Sequence, residues 1–189
     1  ATARFIRIHG APDLFFAQEI RDLATCRELA SRLGDAAPQP VVCSDFLDYE
    51  TQQPALQQLA IFSRRPVVDS GYESWQAADF VYPPRGYAYA VLDVDGALVG
   101  CFNVHLKSNY IPEGEDVERQ TTLNRLKREL SAEQLLRRIA RLEADGFSGR
   151  PVARFIVAGD FNIALGDERF ADETTIRAFL DAGFRNAFE

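Results

Sequence analysis

Glu19, His105 and Asp160 each stand at the end of an apolar run: LFFAQ before Glu19, CFNV before His105 and RFIVAG before Asp160, with Asn162 two residues beyond. A carboxylate, an imidazole, and an acid followed by a carboxamide are groups that hold a hard cation, move a proton and position an anion. Asp160 and Asn162 lie in AGDFN, where one tight turn aims an acid and an amide at a common point. Each residue also has an ordinary use. Glu19 has Arg21 and Arg27 close by as ion-pair partners, His105 serves equally as a satisfied, partly buried histidine, and Asp160 with Asn162 makes a turn that caps the next segment. If the four form one site, their side chains fall within about 10 Å of a common point in a cleft.

These residues need rigid elements behind them. Residues 14–20 form a short apolar run that predicts a buried strand, and Asp22 caps a helical pattern of Leu23, Cys26, Leu29, Ala30 and Leu33 that stops at Gly34. Residues 41–46 and 58–64 predict two more strands, the second ended by Pro66. From Gly86 an alternating run reaches Asp95 and Gly96 and returns as ALVGCFNVHL, the pattern of an antiparallel hairpin. Its returning strand puts Phe102, Val104 and Leu106 on one face, and Asn103, His105 and Lys107 on the other. A charged helix is predicted over 115–145, with an apolar stripe of Leu123, Leu126, Leu130, Leu135, Leu136, Ile139 and Leu142 and its Arg and Glu residues on a solvated face. The strand VARFIVAGDFN follows, then a final amphipathic helix near 173–182 ending at Gly183. No repeat or linker interrupts the chain, so one α/β domain over residues 1–189 is expected.

Composition narrows the chemistry. The 189 residues are 47% hydrophobic, with no apolar run long enough to span a membrane, as in a soluble globular protein. With 28 acidic against 21 basic residues and a net charge of −7, the chain lacks the broad basic field that grips nucleic acid without regard to sequence. Three cysteines without a CxxC pair read as buried reduced thiols, not as a zinc knuckle or a disulfide scaffold. Two histidines are too few for a histidine-rich metal centre, so a metal here is held mainly by oxygen, which favours magnesium. The first ten residues carry no signal-peptide core, and the chain has no methionine. Its start therefore reads as processed or trimmed and says nothing of compartment, with a cytoplasmic setting favoured over a secreted one.

Four segments, in order, resemble the endonuclease/exonuclease/phosphatase superfamily, which includes deoxyribonuclease I, exonuclease III, sphingomyelinases and inositol polyphosphate 5-phosphatases. PDLFFAQEI resembles the family's strand ending in glutamine and glutamate, LAIFSRRPV its serine, arginine, proline segment, FNVHLKS its histidine strand, and VAGDFN its most specific signature. The resemblance implies a two-sheet β-sandwich flanked by helices and a metal-dependent phosphoester hydrolase. It implies Mg2+ or Mn2+ on Glu19, a water-orienting acid or base at Asp160, a positioning amide at Asn162 and a protonated imidazole at His105 near the scissile phosphate. Asn103, Lys107 and Arg85 are placed against the substrate's phosphate, although Lys107 also suits a solvated position and Arg85, after Pro83 and Pro84, a loop-packing one. The implied partner is a phosphoester: nucleic acid, nucleotide, phospholipid headgroup or small phosphate, with no stable protein partner inferred. The family's opening asparagine strand and closing serine, aspartate, histidine segment have no counterpart here. A part of a longer protein is therefore expected, its sandwich incomplete at both edges and its cleft more open. The rival reading is a non-catalytic binding or structural module that keeps the sandwich.

Overall fold

The computed structural model describes residues 2–10, 12–34, 37–48 and 51–187. Its apolar runs become strands wherever a face is buried. β1 (Leu14–Ile20), β2 (Gln39–Cys43) and β3 (Gln58–Ser63) make an antiparallel sheet in the order β1-β3-β2. β4 (Val67–Ser74), β5 (Gly86–Val94), β6 (Ala97–His105) and β7 (Val152–Asp160) make a second sheet in the order β4-β5-β6-β7. β3 is buried along its whole length, which suits the continuous run QLAIFS at the centre of the first sheet.

The two sheets meet face to face, Leu59 and Ile61 packing on Ala88, Ala90, Leu92 and Cys101. Outside the first sheet, α2 (Leu23–Leu33) sets Cys26 and Ala30 on Ala60 and Phe62, and α1 (Thr2–Ile8) packs beside it. Outside the second, α3 (Val117–Asp145) and α4 (Thr175–Asp181) cover Phe102 and Val104 with Leu135, Ile139, Leu142 and Phe179. The architecture is a helix, sheet, sheet, helix sandwich, as expected. Burying each such Leu, Val or Phe side chain contributes roughly 1.5–3 kcal/mol.

The β5–β6 hairpin turns through Asp95 and Gly96, whose φ angles of 53° and 90° match a two-residue turn with both central residues left-handed. β6 and β7 run parallel, so the chain must travel back along the sheet between them. The 29 residues of α3, about 44 Å at 1.5 Å per residue, make that return. Asp116 caps the helix by accepting from the Arg119 N–H, and Gly146 at φ 65° ends it.

Several expectations shift. The strand expected over 41–46 is β2 and stops at Cys43; past it the Ser44 N–H donates to the Leu59 carbonyl and Phe46 turns into the core between the sheets. β4 and α1 form where the sequence carries no strong pattern. The apolar stripe of α3 holds in its second half only. In the first half Asn124, Arg128 and Ser131 are buried, while Leu123, Leu126 and Leu130 are half-buried. Arg128 is not solvated but makes a two-pronged pair with Glu173, Nε to Oε1 at 2.7 Å and Nη2 to Oε2 at 2.6 Å. Leu126 and Leu130 instead line an open groove of about 1260 Å³ shared with Phe80, Phe155 and Phe184, and none of the candidate site residues lines it. The three cysteines are free, Cys26 and Cys101 buried. Among the described residues no helix is long and apolar enough to cross a membrane.

Candidate functional site

Glu19 owes its direction to a break in β1. The strand pairs regularly with β3 from Leu14 to Ala17, then slips register before Ile20, and within the slip Glu19 adopts φ 57°. A bulge of this kind re-aims a side chain, and a non-glycine residue in the left-handed region persists only where its surroundings hold it. The Glu19 carboxylate emerges exposed, with Oε1 accepting from Gln57 Nε2 at 3.2 Å, while neighbouring Arg21 turns to Asp22. Gln18 points the opposite way, donating to Asn103 Oδ1 at 2.7 Å. Asn103 in turn donates to the carbonyls of Ala17 and Ala60, both at 2.9 Å. Fully buried and with its amide so engaged, Asn103, expected to meet a phosphate, here ties β1, β3 and β6 across the sandwich behind Glu19.

His105 and Asp160 are register partners at the ends of parallel β6 and β7, so the ladder itself puts them side by side. His105 Nε2 lies 3.9 Å from Asp160 Oδ2, with the histidine 4% exposed and the aspartate side chain 53% exposed. The buried Nδ1 has no hydrogen-bond partner among the described residues, so a proton there would be orphaned, whereas on Nε2 it faces Asp160. Burial, helped by the charge of Arg85, pushes the His105 pKa below its ordinary value against the pull of Asp160 and Glu19. The proton of a neutral imidazole here sits best on Nε2, the nitrogen that faces Asp160. Beyond β7 the chain turns sharply: Asn162, at φ 57°, donates its N–H to Asp160 Oδ1 at 2.8 Å and its Nδ2 to the Leu106 carbonyl at 2.9 Å.

Arg85 joins the two halves. Also left-handed, at φ 64°, it donates Nη2 to the His105 and Leu106 carbonyls at 2.8 and 3.2 Å, Nε to His105 at 3.3 Å, and Nη1 to Gln57 Oε1 at 2.7 Å. Of the five N–H donors of a guanidinium, these bonds leave one, on Nη1. Burial lowers its pKa while Glu19 and Asp160 both act to raise it, which places the two carboxylates within its field. Lys107 Nζ donates to the Ser108 carbonyl at 2.9 Å and reaches Ser108 Oγ at 3.3 Å, so its ammonium is engaged with its own loop.

The structure therefore brings Glu19, Arg85, His105, Asp160 and Asn162 into one connected cluster and leaves Asn103 and Lys107 behind or beside it. Gln57 completes the connection and was missed, as were Asn109, whose Nδ2 donates to the Asn162 carbonyl at 2.7 Å, and Arg128, which holds Asn109 Oδ1 at 3.0 Å. Gln57 lies in QQPALQQ, where no periodicity or motif singles it out. Among the described residues no three His, Cys, Asp or Glu side chains gather into a cage. Magnesium does not need one, since it keeps several waters and takes one or two carboxylates with the substrate's oxygens. The exposed Glu19 carboxylate is a donor of the right kind for such a hydrated ion.

A two-sheet sandwich between helix layers, with its polar cluster at the strand ends, defines the deoxyribonuclease I-like fold. Solved structures bear this out. The chain is similar to an endonuclease/exonuclease/phosphatase family protein from Bacteroides thetaiotaomicron, at 18% identity and a TM-score of 0.57, covering 96% of this chain and 58% of that one. It is also similar to sphingomyelinase C from Streptomyces griseocarneus, at 19% identity and TM-score 0.60, covering 91% of this chain and 60% of that one. A third is TDP2 from Caenorhabditis elegans, at 17% identity and TM-score 0.52, covering 86% and 41%. At such identities the likeness is one of fold, and the chain spans about two fifths to three fifths of the length of these structures. No family model and no curated protein matches the sequence.

Proposed function

We propose that the protein containing this chain is a phosphoester hydrolase that uses a divalent cation, Mg2+ or Mn2+. What carries the reading is the meeting of Glu19 from one sheet with the register pair His105 and Asp160 from the other, joined through Gln57 and Arg85. Fold neighbours that include a sphingomyelinase support the same class of chemistry.

Glu19 would hold the cation together with water. When bound, the ion supplies Lewis-acid polarisation of a phosphoryl oxygen and offsets the charge gathering there. Asp160, exposed and oriented by the Asn162 N–H, orients or deprotonates the attacking water. His105 donates from Nε2 to a phosphoryl oxygen as negative charge develops. Asn162, tethered at Leu106, fixes the turn that carries Asp160. The substrate is a phosphodiester or phosphomonoester; the net charge of −7 disfavours duplex DNA bound without regard to sequence.

The test is a panel of phosphodiesters and monoesters with the natural full-length protein in Mg2+, in Mn2+ and in excess chelator. Turnover should vanish in chelator and return with the ion. Asp160→Asn should lower turnover by at least ~100-fold with an unchanged melting temperature, since an asparagine oxygen still accepts from Asn162. Full activity in chelator, or in Asp160→Asn, sinks the reading.

A further inference from the structure

We propose that Gln57 is a positioning residue that keeps Glu19 and Arg85 apart, and so keeps the Glu19 carboxylate available to a divalent cation. The inference rests on the metal-assisted reading above. Gln57 sits between two groups of opposite charge, its Nε2 3.2 Å from Glu19 Oε1 and its Oε1 2.7 Å from Arg85 Nη1. A carboxylate only accepts hydrogen bonds and a guanidinium only donates them, whereas a primary amide does both. The two partners thereby fix which way the amide faces. A glutamate here would oppose Glu19 and a lysine would oppose Arg85, so a neutral donor and acceptor of this length is the group that satisfies both.

Removing the amide leaves Arg85 Nη1 without its acceptor and Glu19 without its donor. The simplest replacement is a direct charge-assisted bond between them, about twice as strong as a neutral one. Such a pair would occupy the carboxylate with a guanidinium in place of a cation. It would also draw Arg85 from the carbonyls of His105 and Leu106, which it now holds at the end of β6. Both ends of the bridge are left-handed residues, Glu19 at φ 57° and Arg85 at φ 64°, so backbone strain is held on either side of this amide.

Mn2+ binding without substrate, read from the electron paramagnetic resonance signal of the free ion, separates this role from turnover. The full-length natural protein is compared with Glu19→Gln, Gln57→Leu, Gln57→Met and the double variant Gln57→Leu/Arg85→Gln. Gln57→Leu and Gln57→Met should each weaken Mn2+ binding at least about tenfold, with melting temperatures close to that of the natural protein. The double variant should regain most of the affinity, because no guanidinium remains to capture Glu19. Unchanged affinity in both single Gln57 variants, with Glu19→Gln weakened, overturns this inference and leaves the metal reading standing. Weakened single variants without recovery in the double overturn the spacer role. Equal affinity in the natural protein and Glu19→Gln removes the metal reading and this inference with it.

Discussion

At the scale of single residues, the surroundings of His105 bear directly on its protonation. At 4% exposure its imidazolium is starved of water, and Arg85 adds a like charge, while Asp160 and Glu19 oppose both without prevailing. The folded pKa thus lies below the ordinary value of about 6.5. Between the two values the unfolded chain holds a proton that the folded one does not, so stability rises with pH there. The full contribution is present above about 6.5 and erodes as pH falls from that point toward the folded pKa. Urea unfolding of metal-free protein across pH 7.5 to 5.5 should therefore show the natural chain losing more stability than His105→Gln. Parallel curves would mean that His105 takes up no extra proton on unfolding.

Among the elements, what was legible in the sequence is what is buried on a regular period. β1, β3, β5, β6 and β7 each carry an apolar face into a core, and the Asp95–Gly96 turn announces its hairpin. β4 reads VVDSGYES, mostly exposed along its length, and is a strand because β5 offers it a ladder. The buried polar face of α3 was illegible for a related reason: Arg128 looks like any surface arginine until Glu173, 45 residues on, supplies its partner. Glu19, His105, Asp160 and Asn162 stood out by ending apolar runs, whereas Gln57 gained its place only when two sheets met. The glycine of GDFN has a packing cause that spacing could not show. Gly159 sits at φ 133°, and a Cβ there would lie 1.9 Å from the Val104 carbonyl oxygen of the adjacent strand. Gly159→Ala should cost roughly 2–6 kcal/mol, combining backbone strain with overpacking at about 1–3 each. Gly166, at φ 77°, is a position where a Cβ would meet nothing within 4 Å, so its change to alanine should lose only the strain. Denaturant midpoints of the two variants check this, and equal losses would remove the close approach as the cause.

Across the whole molecule, the cluster at the strand ends is anchored to a buried ion pair on the far side of the second sheet. Glu173 grips Arg128 through Nε and Nη2, and the remaining nitrogen of Arg128, Nη1, donates to the Lys107 carbonyl at 2.9 Å and to Asn109 Oδ1 at 3.0 Å. Asn109 then holds the Asn162 carbonyl, so one chain of bonds runs from the α3–α4 interface to the turn that aims Asp160. Stability and site geometry share this route but depend on different parts of it. Arg128→Met strands a carboxylate in a place where both partners are 2% exposed, and should cost about 3–5 kcal/mol. Changing Glu173→Leu in the same chain removes the stranded charge, and well-packed apolar replacements of buried pairs are often neutral or stabilising. The double variant should therefore recover most of the unfolding free energy. It still lacks the Nη1 donor that steadies Lys107 and Asn109, so the loop after β6 and the Asn162 turn stay unsupported. Denaturant unfolding and turnover measured on the same three proteins should separate: stability falls in Arg128→Met and returns in the double, while turnover falls in both and does not return. Recovery of turnover alongside stability would mean that the ion pair only holds the fold and does not reach the site.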